Sequence, residues 1–94
     1  MAEFMNRKTS DERTSYELLQ RPSARRQLNR LRIEPIVEAI RNLADEPRPP
    51  RAEKLVGRAE WRIRVGDYRI LYLIDDRNKT ITITAVAHRR DVYR

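Results

Sequence analysis

Three arginines in one short stretch, Arg62, Arg64 and Arg69, define the chemistry this chain can do. They lie in Trp61-Arg-Ile-Arg-Val-Gly-Asp-Tyr-Arg-Ile-Leu-Tyr72, where two alternating apolar runs flank Gly66-Asp67. A glycine-first pair between such runs reads as a two-residue hairpin turn. The turn sets a register in which Val65 faces Tyr68, Arg64 faces Arg69, Ile63 faces Ile70 and Arg62 faces Leu71. Side chains directly across a strand pair stand about 5 Å apart at Cβ, and like charges so placed destabilise a sheet. Arg62 shares the face of Arg64, two residues along the strand. Three cations gathered on one face call for an anion, and a guanidinium fork matches the oxygens of a phosphate. The plainer reading, solvated charges reaching neighbouring carboxylates, leaves the cross-strand pair of arginines unexplained.

The flanking sequence supplies the elements that must hold this hairpin. Residues 16–20 read as a short strand, and Arg21-Pro-Ser23 opens a helix, with Pro22 suited to a first turn. Ala24, Leu28 and Leu31 recur at helical spacing, with Arg25, Arg26 and Arg30 on the outer side. A second helix starts at Glu34 or Pro35, is apolar at Ile36, Val37, Ile40, Leu43 and Ala44, and is stopped by Pro47, Pro49 and Pro50. Helices joined this tightly form an antiparallel hairpin. Residues 47–60 read mostly as loop. Strands follow at 60–65, 68–75 and 80–87, the last β-branched and alternating. The order βααβββ predicts an α+β domain: an antiparallel sheet with the helical hairpin packed on one face. Trp61, Ile63, Val65, Tyr68, Ile70 and Tyr72 should face the helices, leaving Arg62, Arg64 and Arg69 on the open face. At Trp61 packing is then a better reading than nucleobase stacking. Residues 1–14, polar and aperiodic with a second methionine at Met5, read as a disordered leader to a domain over 15–94.

Composition narrows the partners. The 94 residues suffice for one small domain and carry 21 Lys+Arg against 14 Asp+Glu, a formal net charge of +7. That balance points to a polyanion: nucleic acid, an acidic protein, or both. There are no cysteines, so disulfides and thiolate metal sites are excluded, and a single histidine argues against a histidine-built metal cage. No apolar run reaches membrane-spanning length and no signal-peptide core is present, so a cytoplasmic protein without metal or cofactor is expected. With only Gly57 and Gly66, a glycine-rich phosphate loop is ruled out.

Lys54-Leu-x-Gly57, the aromatic-Arg-Ile-Arg-Val-Gly-Asp-Tyr-Arg-Ile-Leu-Tyr stretch, a β-rich run and His88-Arg-Arg-Asp-Val-Tyr93 together resemble the RelE toxins of bacterial toxin–antitoxin pairs, within the RelE/ParE superfamily. The likeness covers roughly residues 16–94 and implies that family's fold. RelE-type members are metal-independent endoribonucleases that cut messenger RNA in the ribosomal A site and so inhibit translation. The 2′-hydroxyl attacks its own 3′ phosphate. Carried over by position, the resemblance implies catalytic roles for Arg62, Arg64, Arg69, His88, Arg89 and Tyr93. It implies RNA contacts for Lys54, Arg62, Arg64, Arg89 and Arg90.

Well-known members have lysines at the strand pair, where a lysine can accept a proton. Here both are arginine, which stays protonated. His88, whose ordinary pKa lies near neutrality, is then the obvious base or acid. Tyr93 could stack on a nucleobase and position or protonate a phosphate oxygen. Glu53 and Asp91 are further carboxylates at the site margin. The resemblance also implies a RelB-like antitoxin that wraps the toxin and joins it in repressing their operon, so that operator DNA is met only by the complex. Two other readings stay open. One is a ParE-like inhibitor of DNA gyrase on the same scaffold, and the other is a catalytically decayed RNA- or antitoxin-binding module.

Overall fold

Apolar side chains at alternate strand positions and along one stripe of each helix can leave water together only if the helices share one face of the sheet. The computed structural model, which describes residues 15–31 and 33–88, has this arrangement. Its elements are β1 (Glu17–Gln20), α1 (Pro22–Leu31), α2 (Glu34–Leu43), β2 (Glu53–Lys54), β3 (Trp61–Val65), β4 (Tyr68–Asp75) and β5 (Thr80–His88). The strands form one sheet in the order β1-β5-β4-β3-β2, so β4 is central and β1 and β2 are the edges. The expected leader and the site candidates Arg89, Arg90, Asp91 and Tyr93 lie outside the described residues.

Both helices start at a proline-bearing first turn. Pro22 opens α1, and the Arg21 carbonyl accepts the Arg25 N–H at 2.9 Å. In α2, Pro35 sits in the first turn and the Ile33 carbonyl accepts the N–H groups of Ile36 and Val37, with no side-chain cap. α1 packs on β5 and α2 on β3. Between helices and sheet lie Ala24 and Leu28 of α1, Ile36, Ala39, Ile40 and Leu43 of α2, and Leu18, Ile63, Ile70, Tyr72, Ile81, Ile83 and Val86 of the strands. Trp61, Val65 and Tyr68 pack against this core, as expected for their face. Of the described helices, none is long and apolar enough to cross a membrane.

The chain after α2 is strapped down by polar contacts. The buried Tyr72 donates its hydroxyl to the Pro47 carbonyl at 2.7 Å, and burial pushes that phenol up to about 12. Arg48 grips Asp76 through both guanidinium ends, at 2.9 and 3.3 Å, and lies 5.3 Å from the Trp61 ring centroid. Tyr16 donates to the same carboxylate at 2.6 Å.

Three features depart from the sequence expectation. First, residues 53–54 form a strand: Glu53 pairs with Arg62 and Lys54 with Trp61, giving β3 a neighbour where only loop was expected. Second, β1 pairs with β5 in parallel, so the sheet is antiparallel except at that edge. The α1–α2–β2–β3–β4 path between these two strands is long enough to permit parallel pairing. Third, β5 carries a bulge. Its register against β4 steps from Leu71↔Ala85 to Tyr72↔Ile83, leaving Thr84 as the extra residue. Strict alternation from Ile81 would send Ala85 and Ala87 to the core and His88 to the open face. The bulge reverses this, so Val86 enters the core and His88 pairs with Tyr68 on the helix side.

Thr84 is 6% exposed, and its hydroxyl donates toward the Leu71 carbonyl (3.2 Å) and Glu60 Oε2 (3.1 Å). It thereby serves a carbonyl at the irregular part of the ladder. Thr84→Val keeps the shape and removes the donor, and should lower stability by about 1 kcal/mol in urea unfolding. An unchanged midpoint would show that the hydroxyl does not hold the bulge.

Candidate functional site

The β3–β4 hairpin places the arginines. Gly66 at φ +61 with no positive φ at Asp67 is the glycine-first turn that matches strand twist. The pairing is Trp61↔Tyr72, Arg62↔Leu71, Ile63↔Ile70, Arg64↔Arg69 and Val65↔Tyr68, the register read from the sequence. Because Ile63 and Ile70 are buried against the helices, the alternate positions Arg62, Arg64 and Arg69 project from the opposite face. The three are brought together.

Their environments differ. Arg64 is exposed, the Arg62 side chain is 24% exposed, and Arg69 is only 6% exposed. The burial of Arg69 departs from a set of equally solvated cations. It sits on the central strand, where side chains of both neighbouring strands flank it. Arg62 is hydrogen-bonded to Glu53, which pairs with it across β2 and β3. That bond, then the charge of Arg62 and the further charges of Arg64 and Arg69, hold the Glu53 carboxyl below its usual range. Arg51, Glu53, Arg62 and Arg64 line an open cleft of about 310 Å³. The arrangement can cradle a phosphate and offers it one ionised carboxylate.

Two sequence candidates point away from this cleft. His88 pairs with Tyr68 and meets its ring edge-on, with centroids 5.1 Å apart, on the helix side of the sheet. The catalytic role expected of it is not supported by this placement, since Arg69 is opposite Ala87 and on the other face. Lys54 is opposite Trp61, which puts it on that same far side, and its ammonium is engaged by the Arg58 carbonyl at 2.7 Å. Conversely, Arg51 was missed as a lining residue. Only the pairing of the two-residue strand β2 brings residues 51–54 beside the arginines, and a strand that short leaves no periodicity to read.

Like charges directly across a strand pair should carry a cost in the free protein. Replacing Arg64, exposed and opposite Arg69, by threonine removes a like-charge cross-strand pair and adds a β-branched residue. Arg64→Thr should therefore raise stability by about 0.5 kcal/mol in chemical denaturation at low salt, with the gain shrinking as salt rises. Destabilisation would mean that Arg64 supports the fold instead.

Known proteins resemble this chain in sequence and in fold. The family model described as ParE toxin of type II toxin–antitoxin system, parDE, matches residues 18–93. Over 80 residues the chain is 41% identical to the toxin RelG of Mycobacterium tuberculosis, covering 77% of this chain and 88% of that protein. A RelBE toxin–antitoxin complex from Mycobacterium tuberculosis contains a chain 31% identical, at a TM-score of 0.65 over 81% of this chain and 93% of that one. The archaeal RelE–RelB complex from Pyrococcus horikoshii gives 26% identity and a TM-score of 0.70 over 80% and 96%. A sheet backed by two helices, a hairpin presenting three arginines, and a match along nearly the whole domain have one consequence: the chain belongs to the ParE toxin family of type II toxin–antitoxin systems, within the RelE/ParE superfamily.

Proposed function

We propose that the protein is a RelE-like endoribonuclease acting on messenger RNA held by the ribosome, and that a RelB-like antitoxin neutralises it. The observation that carries this reading is the set Arg62, Arg64 and Arg69 on one sheet face, with Arg64 directly opposite Arg69 and Glu53 alongside. In the reaction the 2′-oxygen bonds to the adjacent phosphorus, its proton passes to a base, and the P–O5′ bond breaks. The products are a cyclic phosphate and a 5′-hydroxyl that has gained a proton. Charge builds on the phosphorane, and preorganised guanidinium groups are suited to stabilise it. Glu53 is the proton acceptor this geometry favours, since arginine does not give up its proton and His88 faces Tyr68. Tyr93 as proton donor, with Arg89 and Arg90 on the RNA backbone, completes the proposal.

A carboxylate held below its usual range is a weak base, so much of the rate must come from orientation. A messenger clamped by the ribosome supplies that. The solved neighbours that pair RelE with RelB support the antitoxin assignment. The positive charge of this chain suits an acidic binding segment.

The ParE-like alternative, gyrase inhibition, is favoured by the family model that matches and by the lack of lysine at positions 62 and 64. Primer extension on a defined message in a translating extract separates the two. Wild type should give ribosome-dependent cuts. Arg62→Ala and Arg64→Ala should each slow them about 10²- to 10³-fold, and Glu53→Gln at least about 10²-fold. His88→Ala should stay within about tenfold of wild type, too little for a proton carrier. Intact message together with gyrase-dependent DNA breaks would overturn the ribonuclease reading.

The pH dependence identifies the base independently. The Glu53 carboxyl is held low by Arg62, so it stays deprotonated until the pH falls below the usual carboxylate range. Single-turnover cleavage on ribosomes should therefore show no acid limb between about pH 6 and 8, whereas a histidine base would give a break near about 6.5. A break there that disappears in His88→Ala would restore His88 to the mechanism.

A further inference from the structure

The chain between α2 and β2 is tied down on both sides of Arg51. Pro47, Pro49 and Pro50 each fix a backbone φ angle. Tyr72 holds the Pro47 carbonyl, Asp76 holds Arg48, and the Pro49 carbonyl accepts the Ala52 N–H at 2.9 Å. Ala52 packs against the core, and Glu53 is paired with Arg62. Arg51 itself is exposed and lines the cleft with Glu53, Arg62 and Arg64. Its backbone is thus a fixed part of the rim, and the catalysis outlined above gives it no task. The lining side chains carry three positive charges against one negative, so two remain when Glu53 is ionised. One phosphodiester balances one of these. A second balances the other.

We infer that Arg51 holds a second phosphate of the RNA, the one on the 5′ side of the nucleotide whose 2′-hydroxyl reacts. Arg51 stands two residues before Glu53, and alternate positions share a face. With Glu53 opposite Arg62 in an antiparallel pair, Arg51 comes level with Arg64, and Arg64 is opposite Arg69. The three arginines form a row across β4, β3 and the lead-in to β2. Adjacent strands lie about 4.8 Å apart, so the row spans about 10 Å. That is wider than one phosphate group and suits two neighbouring phosphates of a single strand. Chemistry gives the row a direction. The attacking 2′-oxygen belongs to the nucleotide on the 5′ side of the scissile phosphate, so the proton acceptor marks that side. Glu53 is on β2, beside Arg51. The leaving nucleotide then lies toward β5, where small side chains, Ala85 and Ala87, stand opposite Leu71 and Arg69. The RNA crosses the sheet 5′ to 3′ from β2 to β5. The direction rests on the ribonuclease reading with Glu53 as its base, whereas the second phosphate position rests on the cleft alone.

The test measures binding of the full chain to 2′-deoxydinucleotides, which lack the nucleophile and so stay intact. One probe has no terminal phosphate, one has a 5′-terminal phosphate and one has a 3′-terminal phosphate. They are compared by NMR titration at about 50 mM salt. Wild type should bind the 5′-phosphorylated probe at least about fivefold more tightly than the unphosphorylated one. Arg51→Gln should erase that gain, and Arg51→Lys should keep part of it. Arg77→Gln, which removes an exposed charge from the β4–β5 turn outside the cleft, should leave it intact. The 3′-phosphorylated probe, equal in charge, should bind alike to wild type and Arg51→Gln. Because Arg51 is exposed, its variants should melt with the wild type. No gain in wild type, or a gain that survives Arg51→Gln, overturns the inference. Loss of affinity for the 3′-phosphorylated probe in place of the other overturns it too, by reversing the direction. Primer extension with wild type judges the ribonuclease reading separately. A wild type that cuts no message yet shows the Arg51-dependent gain keeps the phosphate position and loses only that reading.

Discussion

Everything in this molecule that bears on function hangs on the register of the β3–β4 hairpin. A two-residue turn at Gly66-Asp67 commits Ile63 and Ile70 to one face and Arg64 and Arg69 to the other. Each half enforces the other. A slip of one residue would drive guanidinium groups into the core and isoleucines into water, so the apolar pairs hold the arginines opposite each other against their repulsion. The core is thus what makes an electrostatically unfavourable cluster persist, and the cluster gives that sheet face a density of positive charge suited to an anion.

Much of this was legible because it is local. The turn residues, the alternation around them and the helical stripes at Ala24 and Leu28 or Ile36, Ile40 and Leu43 are statements about neighbours within a few positions, and the structure agrees with them. What escaped is non-local or short. β2 has two residues, below the length at which any period shows, and it is a strand only because β3 runs beside it. The parallel pairing of β1 depends on where the chain returns after crossing the whole domain. The Thr84 bulge hides inside a perfect β-branched alternation. Nothing in Thr80-Ile-Thr-Ile-Thr-Ala-Val-Ala87 marks the residue that leaves the ladder.

That bulge explains the uneven reading of the site. Arg62, Arg64 and Arg69 were found because their relation is fixed within one hairpin. His88 was carried to the site by the resemblance and its ordinary pKa, and the bulge four residues earlier sets it against Tyr68 on the far side instead. Lys54 drew attention as part of a motif, while its neighbour Glu53, opposite Arg62, is the residue that the pairing delivers to the cleft. The parity of a single position separates a margin residue from a central one.

The state of Glu53 in the free protein then has a chemical meaning. Its bond to Arg62 is exposed, and exposed ion pairs contribute little to stability. A phosphate entering the cleft competes for the same guanidinium and brings negative charge to the three clustered arginines. An Arg62 that turns to the phosphate then, on the ribonuclease reading, frees the Glu53 carboxylate to accept the proton of a 2′-hydroxyl. On the ribonuclease reading, arginine at both strand positions is thus compatible with catalysis. The strand pair binds and polarises the phosphate, and the base is a carboxylate kept charged and oriented by one of those arginines until substrate takes its place.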